Sequence, residues 1–65
     1  MLAPWAMYPE IRAGGIGWRM GRGEDYRNKF YDWFGQMNDA ERASYIRTNP
    51  EPDNWDGFYE VAFSR

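Results

Sequence analysis

The sequence predicts an α+β fold: a small antiparallel sheet of two or three strands with two helices packed on one face, in the order β-β-α-α-β. Ile16, Trp18 and Met20 alternate with Gly17 and Arg19 just after a Gly14-Gly15 turn signal, which is the period of a half-buried strand. Tyr26, Phe30, Trp33, Phe34 and Met37 recur at i, i+4, i+7, i+8 and i+11, one face of an α-helix. The last segment, "FYEVAF" from Phe58 to Phe63, alternates again after an Asp56-Gly57 turn.

Each element follows from local chemistry. Residues 4–12, "PWAMYPEIR", suit a short extended segment. Pro9 has no N–H to give a sheet ladder and so places this segment at an edge. A hairpin closed around Gly14 and Gly15 then leads through "IGWRM", and Gly21 to Gly23 end it. The first helix covers "EDYRNKFYDWFGQM", 24–37, with Glu24 and Asp25 in its first turn, where the helix dipole favours acids. Gly35 weakens its interior by about 1 kcal/mol relative to Ala. The second helix is "NDAERASYIRTN". Asn38 is its expected N-cap, with Glu41 three residues on to complete a capping box, and Pro50 and Pro52 stop it.

The composition restricts function more than it reveals it. The 65 residues make one small domain, 1–65, a size at which a core is hard to build without staples. Cysteine and histidine are both absent. That removes disulfides, thiolate and imidazole metal ligands, and the commonest general base. Four Trp, five Tyr and four Phe stand against one Leu, one Val and three Ile, so aromatic rings must supply the core. The non-phenolic hydroxyls are Ser44, Thr48 and Ser64, with no histidine to activate them. The sequence therefore predicts no enzyme activity, no cofactor and no metal. The glycine-rich run "GGIGWRMGRG" lacks the third glycine of a dinucleotide fingerprint and the Gly-Lys-Ser/Thr of a phosphate loop. No signal peptide and no apolar run of bilayer length are expected, and the lack of cysteine fits a cytosolic protein.

Charge gives the functional lead. The net charge is −2, unevenly placed. Residues 1–30 carry five basic against three acidic side chains, or +2. Residues 31–65 carry seven acidic against three basic, or −4. "PEPDNWDGFYE", Pro50 to Glu60, holds four acids, three aromatics and no base. Glu51, Asp53, Asp56 and Glu60 could steer the chain onto a basic surface, with Trp55, or else Phe58 or Tyr59, as an aromatic anchor and Asp39 and Glu41 as neighbours. The bland reading of the same stretch is a solvated loop that keeps a sheet edge soluble.

Two other readings stay open. A nucleic-acid module would use the basic aromatic hairpin 16–29: Trp18 to stack a base, and Arg19, Arg22, Arg27 and Lys29 for phosphates. The acidic second half opposes that use. A structural assembly protein would use surplus aromatics at a homo-oligomeric interface, so the expected state is a monomer or small homo-oligomer.

In its compact length, aromatic density and acidic segment Glu51 to Glu60, the chain resembles the small cysteine-free proteins encoded by bacteriophages and mobile elements. Anti-CRISPR inhibitors are the best-known group among these. The resemblance implies a stoichiometric inhibitor, acting in the cytoplasm of a bacterial host cell, that occludes the nucleic-acid site of a defence complex such as a CRISPR effector. The basic segment Arg19 to Lys29 departs from a pure DNA-mimic pattern.

Overall fold

A computed structural model describes residues 1–64, and among them the fold is all-α. Four helices form: α1 (Pro4–Met7), α2 (Arg22–Gly35), α3 (Asp39–Thr48) and α4 (Phe58–Phe63). The 3₁₀ turns Ile16–Trp18 and Asp53–Trp55 lie between them. No strand is present among the described residues. The chain divides into two compact units, Met1–Phe30 and Tyr31–Arg65, and α2 contributes residues to both.

The predicted sheet is thus corrected at all three of its strands. At the N-terminus, Pro4 occupies the first helical position, where its missing N–H is no loss and its fixed φ is already helical. The Met7 amide bonds to the Ala3 carbonyl at 3.0 Å and the Tyr8 amide to the Pro4 carbonyl at 3.0 Å, so a single turn replaces the edge strand. In the expected hairpin, Gly14 does turn the chain, with φ 74°. Its continuation, however, is a 3₁₀ turn in which only Trp18 goes inside. Ile16 is 72% exposed and Met20 60%, so the alternation did not mark a buried face. At the C-terminus, Phe58, Tyr59 and Ala62 are buried while Val61 and Phe63 are about half exposed. Burial at i, i+1 and i+4 is helical spacing.

In unit 1, rings gather around Tyr8. Its centroid lies 6.2 Å from Trp18 and 5.7 Å from Tyr26, both edge-on, the favoured arrangement for aromatic quadrupoles. The Arg22 guanidinium sits 5.1 Å from the Tyr8 ring and donates to Glu10 at 2.8 Å. The Tyr26 hydroxyl donates to the Leu2 carbonyl at 2.6 Å, tying the N-terminus to α2. The start of α2 depends on a close approach of backbones. A Cβ on Gly23 would collide with the Gly17 carbonyl oxygen and come within 3.2 Å of Ile11 Cδ1.

Unit 2 is built on the end of α2, on α3 and on α4. The expected capping box forms: Asn38 Oδ1 accepts from the Glu41 amide at 2.8 Å, and Glu41 Oε1 accepts from the Asn38 amide at 2.9 Å. One side chain reaches two of the carbonyls at the end of α2, beside the Gln36 and Met37 amides that bond to Trp33 and Phe34. Arg42 donates from Nε to the Phe34 carbonyl at 3.0 Å and from Nη2 to the Gly35 carbonyl at 2.8 Å. A cation there also complements the helix dipole. Phe34, fully buried, stacks on Tyr59 at 5.7 Å and meets Phe63 edge-on at 5.4 Å. Tyr31 stacks on Phe58 at 5.7 Å.

The two α2 glycines are expected to behave oppositely. Gly23→Ala forces the Gly17 carbonyl to move, and overpacking of this kind costs about 1–3 kcal/mol. Gly35→Ala meets nothing within 4 Å and should stabilise by about 0.4–1 kcal/mol. Urea denaturation of the two variants checks the pair.

Candidate functional site

Glu51 lies in the connection between α3 and the Asp53–Trp55 turn and reaches forward along the chain. Its carboxylate accepts from the Gly57 amide at 3.2 Å and from the Tyr59 amide at 2.7 Å. Gly57 is the N-cap of α4, with φ 90°, a left-handed conformation that costs glycine little. It has no side chain with which to cap. Glu51 therefore supplies from six residues upstream the acceptor that Ser, Thr or Asp would supply at the cap itself, and its charge faces the positive end of the helix dipole.

Tyr59 closes the same loop from its other end. Its hydroxyl donates to the Asn49 carbonyl at 2.6 Å, while the Asn49 amide bonds to the Tyr45 carbonyl at 2.8 Å and ends α3. The segment from Asn49 to Gly57 is thus pinned by a backbone carbonyl on one side and a carboxylate on the other. Burial, then the neighbouring Tyr45 and Glu51, push the Tyr59 phenol well above its ordinary range.

This pinned segment borders a groove of about 350 Å³, lined by Ile46 from α3, Pro50 and Glu51 from the loop, Asp56 and Gly57 from the turn, and Tyr59 and Glu60 from α4. Three of the predicted partner-binding acids, Glu51, Asp56 and Glu60, are brought together here. They do not play equal parts. Glu51 is occupied by amides, whereas Asp56 and Glu60 are exposed.

The other predicted residues fall outside the groove lining. Asp53 is exposed on the 3₁₀ turn Asp53–Trp55. Trp55, half-buried, meets Phe58 edge-on at 5.5 Å, so part of the expected anchor is spent on the fold. Asp39 pairs with Arg42 at 3.1 Å, and Glu41 is held by the capping box. Ile46, Pro50 and Gly57 were not singled out as site residues, and Tyr59 was considered only as an aromatic anchor. The signal for them was the bracketing of Glu51 by Pro50 and Pro52, which fixes the backbone on both sides of the carboxylate.

The basic alternative loses its scaffold. With no hairpin at 16–29, Trp18 lies on a 3₁₀ turn and Arg22, Arg27 and Lys29 lie on α2. Trp18 is 3% exposed, which leaves no ring face for a base. Arg22 is engaged with Glu10 and Tyr8, and Arg27 is half-buried. Arg19 and Lys29 are exposed. Among the described residues, no group of three or more acidic side chains could hold a metal ion, and no helix is long and apolar enough to cross a membrane.

Two expectations follow. Glu51→Ala should cost about 1–3 kcal/mol, a drop of about 4–8 °C in Tm per kcal/mol for a domain of this size. Glu51→Gln, which keeps an acceptor, should lose less; thermal unfolding followed by near-UV circular dichroism gives both. The second concerns alkaline pH. A phenol whose pKa is raised on folding keeps its proton in the native state while the unfolded chain loses its own near pH 10. Stability is thus whole below about pH 10 and falls as pH rises beyond it. Tyr26, raised by burial and by Tyr8, adds to the same slope. Tyr59→Phe should destabilise the chain at neutral pH through loss of the Asn49 bond, by about 0.5–1.5 kcal/mol, and flatten the alkaline decline.

No protein-family model, no curated protein and no solved structure matches this chain.

Proposed function

We propose that this chain is a small acidic protein-binding module that docks on a basic surface of another protein and occludes it. In the fuller form of this reading, it is a stoichiometric inhibitor of a nucleic-acid-binding defence complex of the CRISPR-effector type in a bacterial host cell. The observation that carries the reading is the convergence of Asp56 and Glu60 on one groove beside Glu51. Asp53 extends the acidic surface along the neighbouring 3₁₀ turn. Carboxylates so placed speed encounter with a basic partner and favour it over an acidic one. The excess of acids in residues 31–65 works in the same direction and against direct binding of a polyanion.

The binding role falls on Asp53, Asp56 and Glu60, whose reversal leaves the α4 cap intact. The test is an affinity capture from nuclease-treated bacterial lysate, run with the wild-type chain and with Asp53→Lys/Asp56→Lys/Glu60→Lys. The expected result is a partner with a basic nucleic-acid groove, retained by the wild type, weakened by added salt and lost by the folded triple variant. A partner held equally well by the triple variant, or recovery that depends on intact nucleic acid, would overturn the proposal.

A further inference from the structure

The groove beside α4 has a mixed wall. Ile46 and Pro50 offer apolar surface, the largely buried Tyr59 adds to the lining, and Asp56 and Glu60 supply negative charge. Among the described residues, neither Asp56 nor Glu60 has a side-chain partner within the chain. Glu51 adds its charge to the same wall, but its oxygens already accept from the Gly57 and Tyr59 amides. Glu51 thus already answers the positive end of the α4 dipole, and the negative charge of Asp56 and Glu60 favours a cation in the groove.

Resting on the binding role proposed above, we infer that the groove receives one arginine side chain from the partner protein. At about 350 Å³ it lies at the small end of ligand sites, which run from about 300 to 1,000 Å³. That suits one long side chain and is too small for a folded element. An arginine carries a three-carbon apolar stem, matched by Ile46 and Pro50, and a charged head for Asp56 and Glu60. Arginine is preferred to lysine because two acids line the groove, Asp56 from the turn and Glu60 from α4. Five N–H donors in a planar fork can serve two separated carboxylates, where a compact ammonium serves one well.

The experiment is a titration of the 15N-labelled full chain with a short blocked peptide containing one arginine, followed by amide shifts. Matching peptides carry citrulline or lysine in its place. The expected result is saturable, salt-sensitive movement of the Ile46, Gly57 and Glu60 amides with the arginine peptide. Citrulline should give none, and lysine should bind more weakly. Asp56→Asn/Glu60→Gln should weaken the arginine peptide by at least about tenfold with the remaining spectrum unchanged. Equal response to citrulline, movement elsewhere on the chain, or indifference to the double variant would overturn the inference. Groove shifts that appear on concentrating the chain alone would assign the groove to a second copy and overturn it as well. The two proposals fail separately. Partner capture lost on charge reversal, without arginine-peptide binding, leaves the docking role and removes this inference. Peptide binding at the groove without any captured partner does the reverse.

Discussion

The second unit depends on a carboxylate placed over the end of a helix that cannot cap itself. α4 has six residues, far below the length at which an isolated helix persists in water. Its start is a glycine with positive φ, which offers the orphan amides nothing. Glu51 meets the Gly57 and Tyr59 amides, and what α4 does then follows. Phe58 and Tyr59 turn inward, Tyr59 stacks on Phe34, and the Tyr59 hydroxyl reaches back to Asn49. Ion–amide bonding and aromatic burial are thus coupled, since neither the rings nor the loop would hold their places without the other.

The same interaction divides labour within the acidic stretch. A run of four acids invites the view that all are interchangeable surface charge. Glu51 is fold and Asp56 and Glu60 are surface, although all three border one groove. The stretch is therefore divided: Glu51 is occupied by the fold, and the exposed Asp56 and Glu60 are the residues to which the proposed binding role is assigned. Trp55 shows a similar division in one side chain, half-buried against Phe58.

The sequence was legible where a signal had one physical meaning. The helical spacing of Phe30 and Phe34 places both in the core, and the Asn38–Glu41 pair forms its capping box. Alternation misled because it was short. "IGWRM" and "FYEVAF" span five and six residues, too few to separate a period of 2 from one of 3.6. In each case long-range packing set the outcome: Trp18 against Tyr8 in the first, Phe58 and Tyr59 against Tyr31 and Phe34 in the second. Pro4 carries a first-turn helix signal, but Pro9 alone set the expectation for residues 4–12. The candidate acids could be named from composition alone. Their separation into capping and exposed members could not, because it rests on a contact spanning eight residues through a turn.

The most direct measurement is backbone NMR over residues 57–63, combining carbon secondary shifts with amide hydrogen exchange. If Glu51 holds α4 as described, residues 58–63 give helical shifts and the Tyr59 amide exchanges slowly, although it lies in the first turn, where an uncapped amide would be open to water. Extended shifts through this segment, or a Tyr59 amide exchanging as fast as in the unfolded chain, would contradict the account.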